Sequence, residues 1–212
     1  MKILSIETSS ETGSVALLRE GRIECEILFG SGDIAAHLVS AVEKALGEFP
    51  FDLSAIDLFV VSVGPGSWTG TRLGLSFAKG LARGDKNRIY AVTTAQGIFF
   101  GLREMKLNAL CLVNAYGGKI FVSRFNGRFY YGSKYYPEKI LREDLQKVCG
   151  KEDILLSGPA LSLLPESVRR MRNVRIAGMN HSHPRAGING LLALEKMARK
   201  IPSLPPDPYY GR

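Results

Sequence analysis

Cysteine, histidine and tryptophan are scarce in this chain: three, three and one among 212 residues. Cys25, Cys111 and Cys149 are too few and too scattered for a disulfide framework or a zinc ribbon. His37 has no second histidine four residues away, so a helical His-x3-His metal pair is missing, and His181-Ser182-His183-Pro184 reads better as a proline-terminated polar loop. Uninterrupted apolar runs stay too short to span a bilayer, and the N-terminus lacks the basic-then-apolar layout of a signal peptide. A protein of a reducing compartment, the cytoplasm, is expected. No Ser/His/Asp order stands out, no Walker lysine follows a glycine loop, and the first half offers no group of converging carboxylates for a two-metal nuclease.

What is present is ordinary globular material, 45% apolar and 23% charged, enough for one compact domain or two small lobes. The net charge of +8 is unevenly placed. Residues 1–100 carry a net −2, residues 101–164 a net +4 and residues 165–212 a net +6, the last including Arg169, Arg170, Arg172 and Arg175. A one-sided basic excess favours contact with a polyanion, and equally describes a solvated basic face.

The order of elements repeats. Strands are expected near Ile3–Glu7, Ser14–Leu18 and Arg22–Leu28, with a hairpin at Glu20-Gly21. A helix over Ile34–Leu46 follows from the four-residue recurrence of Ile34, Leu38, Val42 and Leu46, capped by Asp33 and stopped by Gly47. Leu58–Val63 reads as a strand buried on both faces, Arg72–Ala82 as a helix, Arg88–Val92 as a strand and Thr94–Met105 as a helix. The second half starts again with Ala109–Val113, a hairpin of Lys119–Phe125 and Arg128–Tyr136, and a helix opened by Pro137-Glu138 and running to Val148. Ile154–Leu156 and Val174–Ile176 are strand-like, Ala160–Met171 broadly helical, and Gly190–Lys200 a helix. Each half thus reads β-β-β-α-β-α-β-α, which describes an α/β fold of duplicated ribonuclease H-like lobes, the actin, Hsp70 and sugar-kinase (ASKHA) architecture. Lobes of 1–104 and 105–212 are expected, with helix 186–200 packing back onto the first.

Phosphoryl-transfer enzymes of that architecture place a carboxylate at the end of the first strand of each half. The matching positions here are Glu7 and Asn114, so only one is anionic. Thr8, Ser9, Gly64, Gly66 and Ser67 join them as a vestigial nucleotide or anion site, the glycines allowing close backbone approach. The turn Ala115-Tyr116-Gly117-Gly118 reads chiefly as a plain tight turn. In the segment Gly64 to Gly74, continued by Lys79-Gly80-Leu81-Ala82, the residues Gly70, Gly74, Ala78 and Ala82 form a small-residue stripe. Such a stripe lets another element approach closely, either within the chain or across a subunit interface anchored by Trp68.

Taken with Ile3 to Ser10, Ser14 to Leu17, Ser157 to Ala160 and Pro208 to Arg212, that segment resembles the TsaB (YeaZ) family of the bacterial machinery that makes threonylcarbamoyladenosine in tRNA. The sequence departs from the family's pattern in three places: Glu7 stands for an aspartate, Asn114 for another, and His37 sits about a turn later on its helix. The resemblance implies a non-catalytic partner of a larger TsaD-type transferase subunit, with a TsaE-type ATPase joining them and a homodimer in isolation. It also implies pairing through the first two helices, here Ile34, His37, Leu38, Trp68, Gly70, Arg72, Leu73, Gly74, Phe77 and Ala78. A bulky residue at Gly74 is then expected to abolish pairing. No tightly bound cofactor is expected, ATP or ADP being left to a subunit junction, and tRNA contact is expected to be indirect. The alternatives are an ATP-binding enzyme using Glu7 and the Gly64–Gly66 loop, or a peptidase acting on the partner.

Overall fold

The structure, a computed structural model, describes residues 1–30, 32–48, 52–83, 85, 88–127 and 138–209, the side chain of Met179 excepted. Strands β1 (Lys2–Glu7), β2 (Gly13–Arg19) and β3 (Arg22–Phe29) form an antiparallel meander. Glu20 and Gly21 between the last two both take positive φ, which suits the twist of a tight hairpin. Then follow α1 (Ile34–Glu48), β4 (Leu58–Ser62), α2 (Trp68–Leu81), β5 (Ile89–Val92) and α3 (Thr94–Leu102).

The second half repeats the order with β6 (Asn108–Tyr116), β7 (Lys119–Asn126), β8 (Glu138–Leu141), α4 (Leu145–Cys149), β9 (Ile154–Ser157), α5 (Glu166–Arg169), β10 (Val174–Ile176) and α6 (Ala186–Ala198). The sheets run β3-β2-β1-β4-β5 and β8-β7-β6-β9-β10, the same topology twice. The duplicated ribonuclease H-like lobes read from the element order are therefore present.

Period-two alternation divides β1 between two layers. Leu4 and Ile6 face a core shared with Val15, Leu17, Leu38, Val42, Leu75 and Ala78, so α1 and α2 cover that side. Ile3 faces the other side with Leu18, Val60, Tyr90 and Val92, where Leu192 and Ala193 of α6 pack. Each of these fully buried aliphatic side chains contributes about 1.5–3 kcal/mol. The halves exchange helices across the middle. Helix α6, from the end of the chain, covers the first sheet, whereas Ile98, Phe99 and Leu102 of α3 pack on Cys111, Val113, Phe121 and Phe125 of the second. The outer side of the second sheet is covered by α4 and α5.

Two expectations fail in the second half. Glu138–Leu141 is a strand paired with β7, not the start of a helix, and only Leu145–Cys149 is α-helical. Pairing of Ile120 with Ile140 at the sheet edge overrides the proline-glutamate start signal. The expected strand Arg128–Tyr136 lies outside the described residues. Ala160–Met171 is broken into a 3-10 turn at Leu161–Leu163 and α5, because Leu164, preceding Pro165, is extended. Elsewhere α2 begins earlier than Arg72, at Trp68, where Ser67 Oγ accepts from the Gly70 amide at 3.1 Å.

The chain end crosses back over the first sheet. Leu204 bridges to Ala91 at the edge strand β5, Ser203 Oγ accepts from the Ala91 amide, and the Tyr209 amide donates to the Val63 carbonyl at 2.8 Å. No helix among the described residues is long and apolar enough to cross a membrane.

Candidate functional site

Glu7 ends β1 on the α6 side of the sheet and is fully buried. Its Oε1 accepts from the Ser9 amide at 2.6 Å and its Oε2 from Asn189 Nδ2 of α6 at 2.9 Å. Burial pushes the carboxyl above its ordinary 4.5, with hydrogen bonds from Ser9, Asn189 and Ser62 pulling the other way. Around it the hydroxyls form an internal network. Ser9 Oγ lies 2.9 Å from Thr94 Oγ1, which donates to the Pro65 carbonyl at 2.8 Å, and Thr8 Oγ1 donates to the Gly70 carbonyl at 2.7 Å.

The glycine loop closes over this network. The Ser67 amide donates to the Ser9 carbonyl at 2.7 Å, and a Cβ on Gly66 would lie only 1.9 Å from the same oxygen. Gly64, at φ +88°, takes a conformation that disfavours other residues and sits against the Tyr209 carbonyl. Six of the seven expected anion-site residues, Glu7, Thr8, Ser9, Gly64, Gly66 and Ser67, are thus brought together, but with their polar groups turned on each other. The backbone of Gly66 and Ser67 is packed directly on Ser9 there. Asn114, the seventh, accepts from the Tyr116 amide at 2.9 Å within its own hairpin and stays apart from the Glu7 network.

The expected interface residues divide by burial. Leu38, Gly70, Gly74 and Ala78 face inward. A Cβ on Gly70 would lie 2.1 Å from the Thr8 carbonyl, and one on Gly74 lies 2.3 Å from Thr8 Oγ1. The stripe therefore admits the protein's own first strand, and Gly74 is corrected from a docking position to a packing one. Trp68, Arg72 and His37 are exposed, and Ile34, Leu73 and Phe77 are half-buried on the same side. Trp68 keeps 52% of its surface open, with the Arg72 guanidinium 3.7 Å above its ring. On α1, His37 meets Phe29 with ring centroids 6.3 Å apart. Sequence alone left out Ala36, Val39 and Ser40, which are exposed on α1 beside these residues. Their signal was the complement of the buried recurrence Leu38, Ala41, Val42 and Ala45.

Among the described residues no group of three or more histidine, cysteine or acidic side chains converges as a metal site. The outer sides of α1 and α2 expose His37, Trp68 and Arg72. Residues 32–161, which carry α1 through β9, match the family model described as TsaD, tRNA N6-adenosine threonylcarbamoyltransferase. A Bacillus subtilis protein, tRNA threonylcarbamoyladenosine biosynthesis protein TsaB, is 27% identical over 98% of this chain and 93% of its own. The chain belongs to this family, in its TsaB (YeaZ) branch. A Thermodesulfovibrio yellowstonii tRNA N6-adenosine threonylcarbamoyltransferase is 33% identical over 59% of the chain and 44% of its own length. The solved structure of YeaZ from Pseudomonas aeruginosa shares the fold, with a TM-score of 0.73 over 99% of both chains at 22% identity.

Proposed function

We propose that this chain is a non-catalytic subunit of the cytoplasmic assembly that installs threonylcarbamoyl on adenosine next to the tRNA anticodon. Its work is to dock, through the outer face of α1 and α2, onto a larger TsaD-type transferase subunit and hold it in an active arrangement. In isolation the same face pairs with a second copy, and a TsaE-type ATPase joins the completed assembly. The observation that carries this reading is Trp68, half-exposed with Arg72 stacked on it, beside the half-buried Leu73 and Phe77. A large aromatic beside arginine, set in a shallow apolar surround, is the composition of an interface anchor. The sealing of Glu7 supports it from the other side, since the carboxyl that ends the first strand is closed to solvent. ATP or ADP, if part of the assembly, belongs at a junction between subunits.

The test is complex formation with the TsaD-type subunit of the same cell on size-exclusion chromatography. Wild-type chain should co-elute with it, and Trp68→Ala should weaken the complex by about 2 kcal/mol or more, roughly thirtyfold in Kd. A Trp68→Ala chain that keeps its fold and binds as tightly as wild type would refute the docking face.

A further inference from the structure

The charge of this protein is concentrated along one edge. From Ser167 to Leu194 the sequence has no aspartate or glutamate, yet carries Arg169, Arg170, Arg172, Arg175 and Arg185. The first four lie on α5, the turn after it and β10, the outermost strand of the second sheet. All four are exposed.

The backbone beneath them is pinned. Asn173 Nδ2 donates to the carbonyls of Gly150 at 3.2 Å and Glu152 at 2.8 Å, and the Val174 amide closes the turn on the Met171 carbonyl at 3.2 Å. Arg169 is tied to the carbonyls of Leu161, Ser162 and Leu164, which leaves its charge in place without neutralising it. Arg170 pairs with Glu166 at 2.9 Å. Arg172 and Arg175 pair with no carboxylate among the described residues, and Glu152 beside them turns its own to Asn108 at 3.4 Å. Five residues of chain separate Arg170 from Arg175, so their Cα atoms lie within roughly 18 Å of one another.

Charges on an edge strand also discourage sheet-to-sheet aggregation, but for that purpose either sign serves. A run of one sign, on a turn whose backbone is hydrogen-bonded in place, suits a partner that is itself a line of negative charge. Half of the molecule repels such a partner and the other half attracts it, which orients the approach.

We propose that the α5–β10 edge, through Arg172 and Arg175 with Arg169 behind them, binds the phosphate backbone of a folded RNA. This rests on the docking reading only for the identity of that RNA, a tRNA; it adds that this chain meets the tRNA directly. The contact is to phosphates and carries no base sequence.

The experiment is fluorescence anisotropy of an unmodified tRNA transcript titrated with the isolated full chain between 50 and 200 mM KCl. Three chains are compared: wild type, Arg172→Glu/Arg175→Glu, and Arg22→Glu/Arg83→Glu, which makes the same charge change at exposed sites of the first lobe. Thermal midpoints confirm that all three fold. The edge variant should lose affinity at least tenfold, and its slope of log K against log salt should shrink by roughly 1.5. The first-lobe variant should keep at least a third of wild-type affinity and an unchanged slope. Equal losses in both variants, or none in either, would overturn the proposal. Capture of the TsaD-type subunit is measured on the same chains. If capture fails while arginine-dependent RNA binding remains, the docking reading falls and this one stands.

Discussion

Glu7 and Asn189, 182 residues apart in sequence, meet at 2.9 Å in the interior. The contact joins the end of the first strand to the last helix.

Asn189 Oδ1 has no hydrogen-bond partner while Nδ2 serves Glu7. A turn of the amide would offer that oxygen to a donor, so Glu7→Gln should fold and retain its contact with Asn189. The sign of the pH effect follows from the raised carboxyl. Between the ordinary 4.5 and the higher folded value the unfolded chain has lost a proton that the folded chain keeps, so wild-type stability falls as pH rises through that window. Denaturant melts from pH 4 to 7 should show this fall in wild type and a flatter profile in Glu7→Gln. Asn189→Ala, which removes one hydrogen bond from the buried Glu7 carboxyl, should cost about 1–3 kcal/mol.

Gly74 and Gly80 lie on the same helix and should respond in opposite ways. Gly74→Val drives a side chain into Thr8 and should destabilise the fold by about 1–3 kcal/mol or more, so any loss of pairing comes with a lower melting temperature. At Gly80 nothing lies within 4 Å of an added Cβ, and Gly80→Ala should stabilise by up to about 1 kcal/mol. Thermal melts of the two variants check both directions. A Gly74→Val chain as stable as wild type but unable to pair would restore the residue to the docking face.

Lys196 of α6 is buried beneath the sheet, its ammonium 5.6 Å from the Tyr90 ring, and burial lowers its pKa to about 8. Between about 8 and the ordinary 10.5 the unfolded chain holds a proton that the folded chain has released, so stability should rise with pH there. Cys111 and Tyr90, both pushed up to about 12 by burial, act in the opposite sense above pH 9 and pH 10, which leaves pH 8 to 9 as the clean window. Lys196→Met should flatten the rise seen in wild type by thermal melts across that range; a rise unchanged by the substitution would assign it to another group.

The duplicated element order was legible because hydrophobic periodicity and turn residues are local signals, and Asp33 capping α1, with its Oδ1 accepting from the Ala36 amide, was readable for the same reason. The packing of α3 on the second sheet was not legible, since no residue of that helix encodes which sheet it will cover. Small residues at Gly70 and Gly74 announced a close approach without naming what approaches, and the answer, Thr8, lies some sixty residues earlier. The strand at Glu138–Leu141 was hidden because its pairing with β7 is tertiary, whereas the helix-start signal that misdirected the reading is local. Glu7 stood out in the sequence, but its hydrogen bond with Asn189 joins residues 182 positions apart, and nothing nearby in sequence announces it.

The central claim is that an exposed helical face, and not the acidic residue, is the working part of this protein. Calorimetric titration of the TsaD-type subunit into wild type, Glu7→Gln and Arg72→Glu tests it most directly. Affinity should survive Glu7→Gln within about threefold and drop at least tenfold in Arg72→Glu. Binding that persists in Arg72→Glu and vanishes in a folded Glu7→Gln would contradict it.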